Sequence, residues 1–127
     1  AAMPARIAIA WNGAAQSARS VRSALPLLQK AEDAVILLGS GQRDLPTNVL
    51  TAYLKDYGIQ PHVEHYDSDH LTARARGRAL IAAVQAVGAG MLVAGAYGES
   101  GSADIAGLGR ATKKIVTAAP FPVFLQA

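Results

Sequence analysis

Apolar runs and helix-spaced apolar positions alternate along the chain. RIAIA, Arg6 to Ala10, is a short apolar run closed by the turn signal Asn12-Gly13, which predicts a strand. Val21, Leu25 and Leu28 then recur at spacings of four and three, the repeat of a helix that buries one face. Pro26 falls inside that repeat and is expected to bend the helix or disturb its hydrogen-bond ladder, because it removes a backbone donor. AVILLG, Ala34 to Gly39, is a continuous aliphatic run, as a strand buried on both faces requires. Gly39-Ser40-Gly41 breaks it. A second helical stripe starts near Pro46, carries Val49, Leu50, Tyr53, Leu54 and Tyr57, and stops at Gly58. Ile59 to Tyr66 predicts a third strand, and Pro61 argues for an edge position, where a missing N–H breaks no ladder. Thr72 is the expected cap of a helix carrying Leu80, Ile81, Val84 and Val87 and closed by Gly88 and Gly90. MLVAG predicts a fourth strand in the middle of a sheet, Ile115 and Val116 a last short helix, and FPVFLQ a fifth strand.

The resulting order, β-α-β-α-β-α-β-α-β, implies parallel strands, right-handed crossovers and helices on both faces of the sheet. No repeat and no internal linker interrupts it, so residues 1–127 read as one domain, with residues 1–5 set apart as a linker end or an artificial extension. In open sheets of this kind a ligand sits beyond the carboxyl ends of the strands, where strand order reverses. That points to the loops after strands one and four if those two are neighbours. Alternation alone does not fix the order.

Composition narrows the chemistry. The chain has 127 residues, 51% of them hydrophobic but only 6% aromatic, which suits a core of Ala, Val, Ile and Leu packed helix on sheet. With no cysteine, a disulfide, a thiol nucleophile and a zinc–thiolate site are excluded. No apolar run reaches the roughly 18 residues of a membrane span, and the opening AAMPAR lacks the form of a secretory signal. A cytoplasmic protein without membrane contact is the expectation. The net charge of +3 is modest, and its two basic clusters, Arg74/Arg76/Arg78 and Arg110/Lys113/Lys114, are not interleaved with aromatics. They read as solvated helix faces rather than as a nucleic-acid surface.

The stretch GAYGESGSADIAGLGRAT, Gly95 to Thr112, carries the most chemistry. Gly95 and Gly98 at a strand end let backbone amides converge without Cβ obstruction. Gly109-Arg110-Ala111-Thr112 opens the next helix, where free amides and the positive end of the dipole suit an anion. Arg110 offers a fork of donors to phosphate oxygens and Thr112 a hydroxyl. No Gly-Lys-Ser/Thr follows, so the loop is not a GxxxxGK[ST] phosphate loop. Glycine spacing by itself equally suits a plain strand-to-helix connector.

AIAWNGAAQSARSVRSALPLLQKAEDAVILL, followed later by GAGMLVAGAYGES and PFPVFLQA, resembles the universal stress protein family over about Arg6 to Gln126. AWNG, ALPLL and LVAGAYG are its most specific pieces. The resemblance implies an open five-stranded parallel sheet of order 3-2-1-4-5, the adenine-nucleotide alpha-hydrolase-like fold, with strands one and four side by side. It also implies a regulatory stress-response module, with ATP or another adenine nucleotide as the ligand and Mg2+ only as the companion of that nucleotide. Family members that bind ATP show Gly-x-x-Gly, nine residues, then Gly, a small residue, one further residue and often Thr. Gly95 and Gly98 match the first pair, and Gly109 fits with a one-residue insertion. Arg110 then takes the small-residue position, Ala111 the next, and Thr112 keeps its place. By the same alignment Asn12 stands where binders commonly carry an Asp toward the nucleoside, and Ser40 where a residue frames the adenine. Ala14 replaces a usual Ser, and Glu99 puts negative charge beside the phosphates. Three readings stand: a module that binds nucleotide through these positions, a nucleotide-free dimerisation or interaction module of the same fold, and a slow ATPase or autophosphorylating enzyme, for which no general base or metal carboxylate is evident in the loop. The resemblance implies a homodimer through the final strand, Pro122 to Gln126, or the equivalent pairing of tandem domains.

Other constellations carry less. His62, His65 and His70 lie near Glu64, Asp67 and Asp69, but alternation along a strand sends His62 and His65 to opposite faces, which argues against a metal site. Ser100 and Ser102 lack a nucleophile elbow and an acid–base pair, and Asp104 is the only nearby carboxylate, so no catalytic residue is assigned. Trp11, at the exit of strand one, is expected to pack under the neighbouring loop, although its ring has the means to stack on a base.

Overall fold

In the computed structural model, residues 4–13, 15–40, 45–69, 71–95 and 118–126 are described below. They form β1 (Arg6–Ala10), α1 (Ala15–Ser23), α2 (Leu25–Lys30), β2 (Asp33–Gly39), α3 (Asn48–Asp56), β3 (Pro61–Tyr66), α4 (Ala73–Ala86), β4 (Leu92–Gly95) and β5 (Val123–Gln126). The five strands make one parallel sheet in the order β3-β2-β1-β4-β5. The expected helix at Ile115 and Val116 lies outside the described residues.

Burial sorts the strands as the sequence pattern does. In β2 every residue after Asp33 is buried, and in β1 Ile7, Ala8 and Ile9 are all fully buried. Successive side chains feed two cores. Ile7, Ile9, Ile36 and Val93 meet Val21 of α1, Leu28 of α2 and Leu50 and Leu54 of α3 on one face. Ala8, Val35, Leu37, Leu92 and Ala94 meet Leu80, Ile81 and Val84 of α4 on the other. Each fully buried aliphatic side chain is worth about 1.5–3 kcal/mol against exposure, so the runs of β1 and β2 are stable only between two helical layers. β3 is the edge that Pro61 announces: Pro61 is its first residue, and His62 to His65 are all exposed. The opposite edge, β5, is half-buried along its length.

One helix departs from expectation. The stripe from Val21 to Leu28 is divided between α1 and α2, with Ala24 as the cap of the second (φ −87°, ψ 0°). Pro26 sits in the first turn of α2, where its missing N–H has no partner to lose, so the chain restarts a helix instead of bending one. Thr72 caps α4 as its residue type predicts: its hydroxyl oxygen accepts from the Ala75 N–H at 3.1 Å.

Candidate ligand site at the switch point

Strand order reverses between β1 and β4, which both pair with each other and run on to separate neighbours. The register places Ile9 beside Val93 and Ala10 beside Leu37. One step further, Trp11 donates its backbone N–H to the Leu37 carbonyl at 3.2 Å. The β1 exit is therefore held by backbone to β2 before the chain turns at Gly13. Gly13 has φ +76°, and a Cβ there would come within 3.2 Å of the Leu45 side chain. The positive φ is what favours glycine at this turn.

The polar side chains at these carboxyl ends are tied to nearby elements. Asn12 Oδ1 accepts from the Ser17 hydroxyl in α1 at 2.6 Å, and the buried Ser20 hydroxyl donates to the Ser17 carbonyl at 2.7 Å. Ser40, just past β2, accepts through its Oγ from the Ser68 N–H at 2.9 Å and lies 3.5 Å from the Ser68 hydroxyl. That loop passes close over β2: a Cβ on Gly39 would stand 2.5 Å from Ser68 Oγ. Trp11 packs against the core formed with α1 to α3, a packing role of its own rather than the expected place under the neighbouring loop. Its indole N–H is nevertheless buried without an acceptor, the only such side-chain atom among the described residues. An orphaned buried donor is rare in folded proteins and calls for a water or a ligand acceptor.

Asn12, Ser40 and Gly95 thus occupy the carboxyl ends of β1, β2 and β4, next to the reversal. Gly98, Gly109, Arg110, Ala111 and Thr112 lie outside the described residues, as do Ala14, Glu99, Ser100, Ser102 and Asp104.

The amino ends of the strands hold a cluster that the sequence reading missed. Arg6 at the start of β1 makes two hydrogen bonds to the Asp33 carboxylate at the start of β2, both at 2.9 Å. His62 Nε2 from β3 stands 3.3 Å from the same carboxylate. Arg6 also donates to the Val87 carbonyl at 2.9 Å, which sets a cation against the end of α4, a helix with no basic residue in its own last turn. The hydrogen bond from Arg6 holds the Asp33 carboxyl below its ordinary range; partial burial opposes this, and the charges of Arg6 and His62 reinforce it. The Asp33 hydrogen bond and charge likewise raise the Arg6 guanidinium. The available signal was a charged or polar residue in the first two positions of β1, β2 and β3, meaningful only once strand order is known. His62 is thus engaged with Asp33, and among the described residues no three His, Asp or Glu side chains are grouped to hold a metal ion.

No family model and no curated protein matches the chain. Solved structures do. A universal stress protein family member from Burkholderia pseudomallei superposes with a TM-score of 0.67 at 17% identity, over 98% of this chain and 97% of that one. A universal stress protein from Archaeoglobus fulgidus gives 0.71 at 19% identity over 96% of this chain, which spans 43% of that longer protein. A universal stress protein solved in complex with cAMP gives 0.62 at 16% identity, over 98% and 97% of the two chains. At these identities the likeness is one of fold, and along nearly its whole length the chain has the fold of the universal stress proteins.

Proposed function

We infer that the chain is a universal stress protein domain that binds an adenine nucleotide as a regulatory ligand at the β1/β4 switch point. ATP is the proposed nucleotide, with Mg2+ as its companion. Asn12 and Ser40 lie toward the nucleoside, and Gly95, Gly98, Gly109, Arg110, Ala111 and Thr112 hold the phosphates. The adjacency of the β1 and β4 carboxyl ends carries this reading, because it brings Asn12 and Gly95 to the one crevice such a sheet provides. The buried indole N–H of Trp11, the residue before Asn12, has no acceptor among the described residues and fits a ligand with acceptor atoms, and a protein of the same fold has been solved with cAMP.

One observation favours the nucleotide-free alternative: the oxygens of Asn12 and Ser40 already accept hydrogen bonds within the protein. In either reading the domain pairs with a second copy, or with a tandem domain, through Pro122 to Gln126. Among the described residues β5 has a strand on one side only, and an apolar edge of this kind favours pairing. A cytoplasmic location belongs to the same reading; no helix among the described residues is long and apolar enough to cross a membrane.

The test is direct. Purified protein is denatured, its supernatant is assayed for carried-over nucleotide, and fresh protein is titrated with ATP by calorimetry. Saturable heat is expected; silence at millimolar ATP would sink the binding reading and leave the nucleotide-free one.

A further inference from the structure

β3 closes one side of the sheet, and among the described residues no strand lies beyond it. His62, Val63, Glu64 and His65 are all exposed. The ladder fixes which backbone groups face outward. Ala34, level with Pro61, donates its N–H to the Gln60 carbonyl at 2.9 Å. Bonding residues alternate along a parallel ladder, so His62, Glu64 and Tyr66 turn their backbone groups to β2. Val63 and His65 turn an N–H and a carbonyl to the open side, and Pro61 a carbonyl alone.

A second β3 laid antiparallel satisfies both outward N–H groups in two registers. One is centred on Glu64 and sets two carboxylates face to face, which like charges disfavour. The other is centred on Val63. Val63 then exchanges both hydrogen bonds with its own copy, and each His65 N–H meets a Pro61 carbonyl across the seam. The close, non-hydrogen-bonded pairs of this register are His62 with Glu64 of the second copy, twice by symmetry. An imidazole offers the carboxylate a cation or a neutral N–H donor. Charge and proline commonly guard a sheet edge, but a guard must repel its own copy, and these two side chains attract theirs. Val63 is level with Ile36, so it lies on the face that α3 covers. The large apolar side chains left exposed among the described residues, Val49, Tyr57 and Val63, belong to α3, its cap and β3. A two-fold axis normal to the sheet keeps both copies of α3 on one face, beside the Val63 pair.

We propose that the β3 edge is a self-association surface, whose partner is a second copy of this chain with its β3 antiparallel and Val63 on the two-fold axis. The surface lies at the edge opposite β5 and is independent of the nucleotide reading.

The chain has no cysteine, so an introduced thiol can bridge only to its own copy. Val63→Cys places the two Cα atoms about 5.5 Å apart, within the span of a disulfide. His65→Cys separates its thiols by four residues, about 14 Å along the strands, beyond that span. Under a mild thiol oxidant Val63→Cys is expected to form the covalent dimer at least about 10-fold faster than His65→Cys. Adding Glu64→Ala to Val63→Cys slows the reaction by about 2- to 30-fold, the loss of two cross-strand pairs. All three substitutions fall on exposed side chains and leave the ladder to β2 in place. Equal rates for the two cysteine variants, or no dimer from Val63→Cys, overturn the surface. A rate unchanged by Glu64→Ala overturns the charge pairing that selects the register. None of these outcomes bears on nucleotide binding.

Discussion

At the amino ends of the strands, Arg6, Asp33 and His62 join three neighbouring strands through one carboxylate, and Arg6 reaches on to the end of α4. At the carboxyl ends, the Asn12 oxygen accepts from Ser17 of α1 and the Ser40 oxygen from Ser68, Gly13 turns the chain at φ +76°, and among the described residues the Trp11 indole N–H has no acceptor. The first end closes polar groups on one another across the sheet. The second holds its backbone tightly and leaves hydrogen-bonding capacity unspent. The contrast fits a stabilising role for the first end and the proposed ligand site at the second, where parallel sheets place their ligands.

Substitutions at the two ends should therefore separate the two properties. The largest effect is expected from Gly13→Val. A β-branched residue at φ +76° beside Leu45 costs about 2–3 kcal/mol of stability, read by denaturant unfolding, and distorts the β1 exit enough to weaken ATP binding as well. Asp33→Ala should lower the thermal midpoint by a few degrees, because it leaves Arg6 without its two-bond partner, and should leave ATP affinity unchanged. A loss of affinity there would break the comparison.

The same carboxylate gives a pH signature. Its folded-state pKa lies below the ordinary value of 3.8, so its contribution is complete above that value and is lost as pH falls through the folded one. Acid unfolding of wild type should show this loss, and Asp33→Ala should lack it. The smallest effect is expected from His62→Ala: the side chain is 55% exposed, and exposed pairs of this kind change stability by about 0.5 kcal/mol or less.

How much of this was legible in the sequence follows from the range of the interactions. AVILLG and RIAIA announce buried strands because burial on both faces demands continuous apolar residues. Pro61 announces an edge because edges tolerate a missing donor. Pro26 predicts a bend or a break in the ladder because it lacks a donor, and the structure uses that residue to start a new helix. Strand order came from the resemblance, because alternation fits several orders. The Arg6–Asp33–His62 cluster joins residues more than twenty-five positions apart, and only the order β3-β2-β1 puts them side by side. The Ser17–Asn12 bond spans five residues, yet serine in the first turn of a helix has many local uses, and only the distance identifies this one.

The division of the sheet into a stabilising end and a binding end is tested most directly by NMR titration of 15N-labelled protein with ATP. The account predicts amide shifts that saturate with ligand and cluster at Trp11, Asn12, Gly13, Ser40 and Gly95, while Arg6, Asp33 and His62 stay still. Shifts concentrated at Arg6, Asp33 and His62, or none at millimolar ATP, would contradict it.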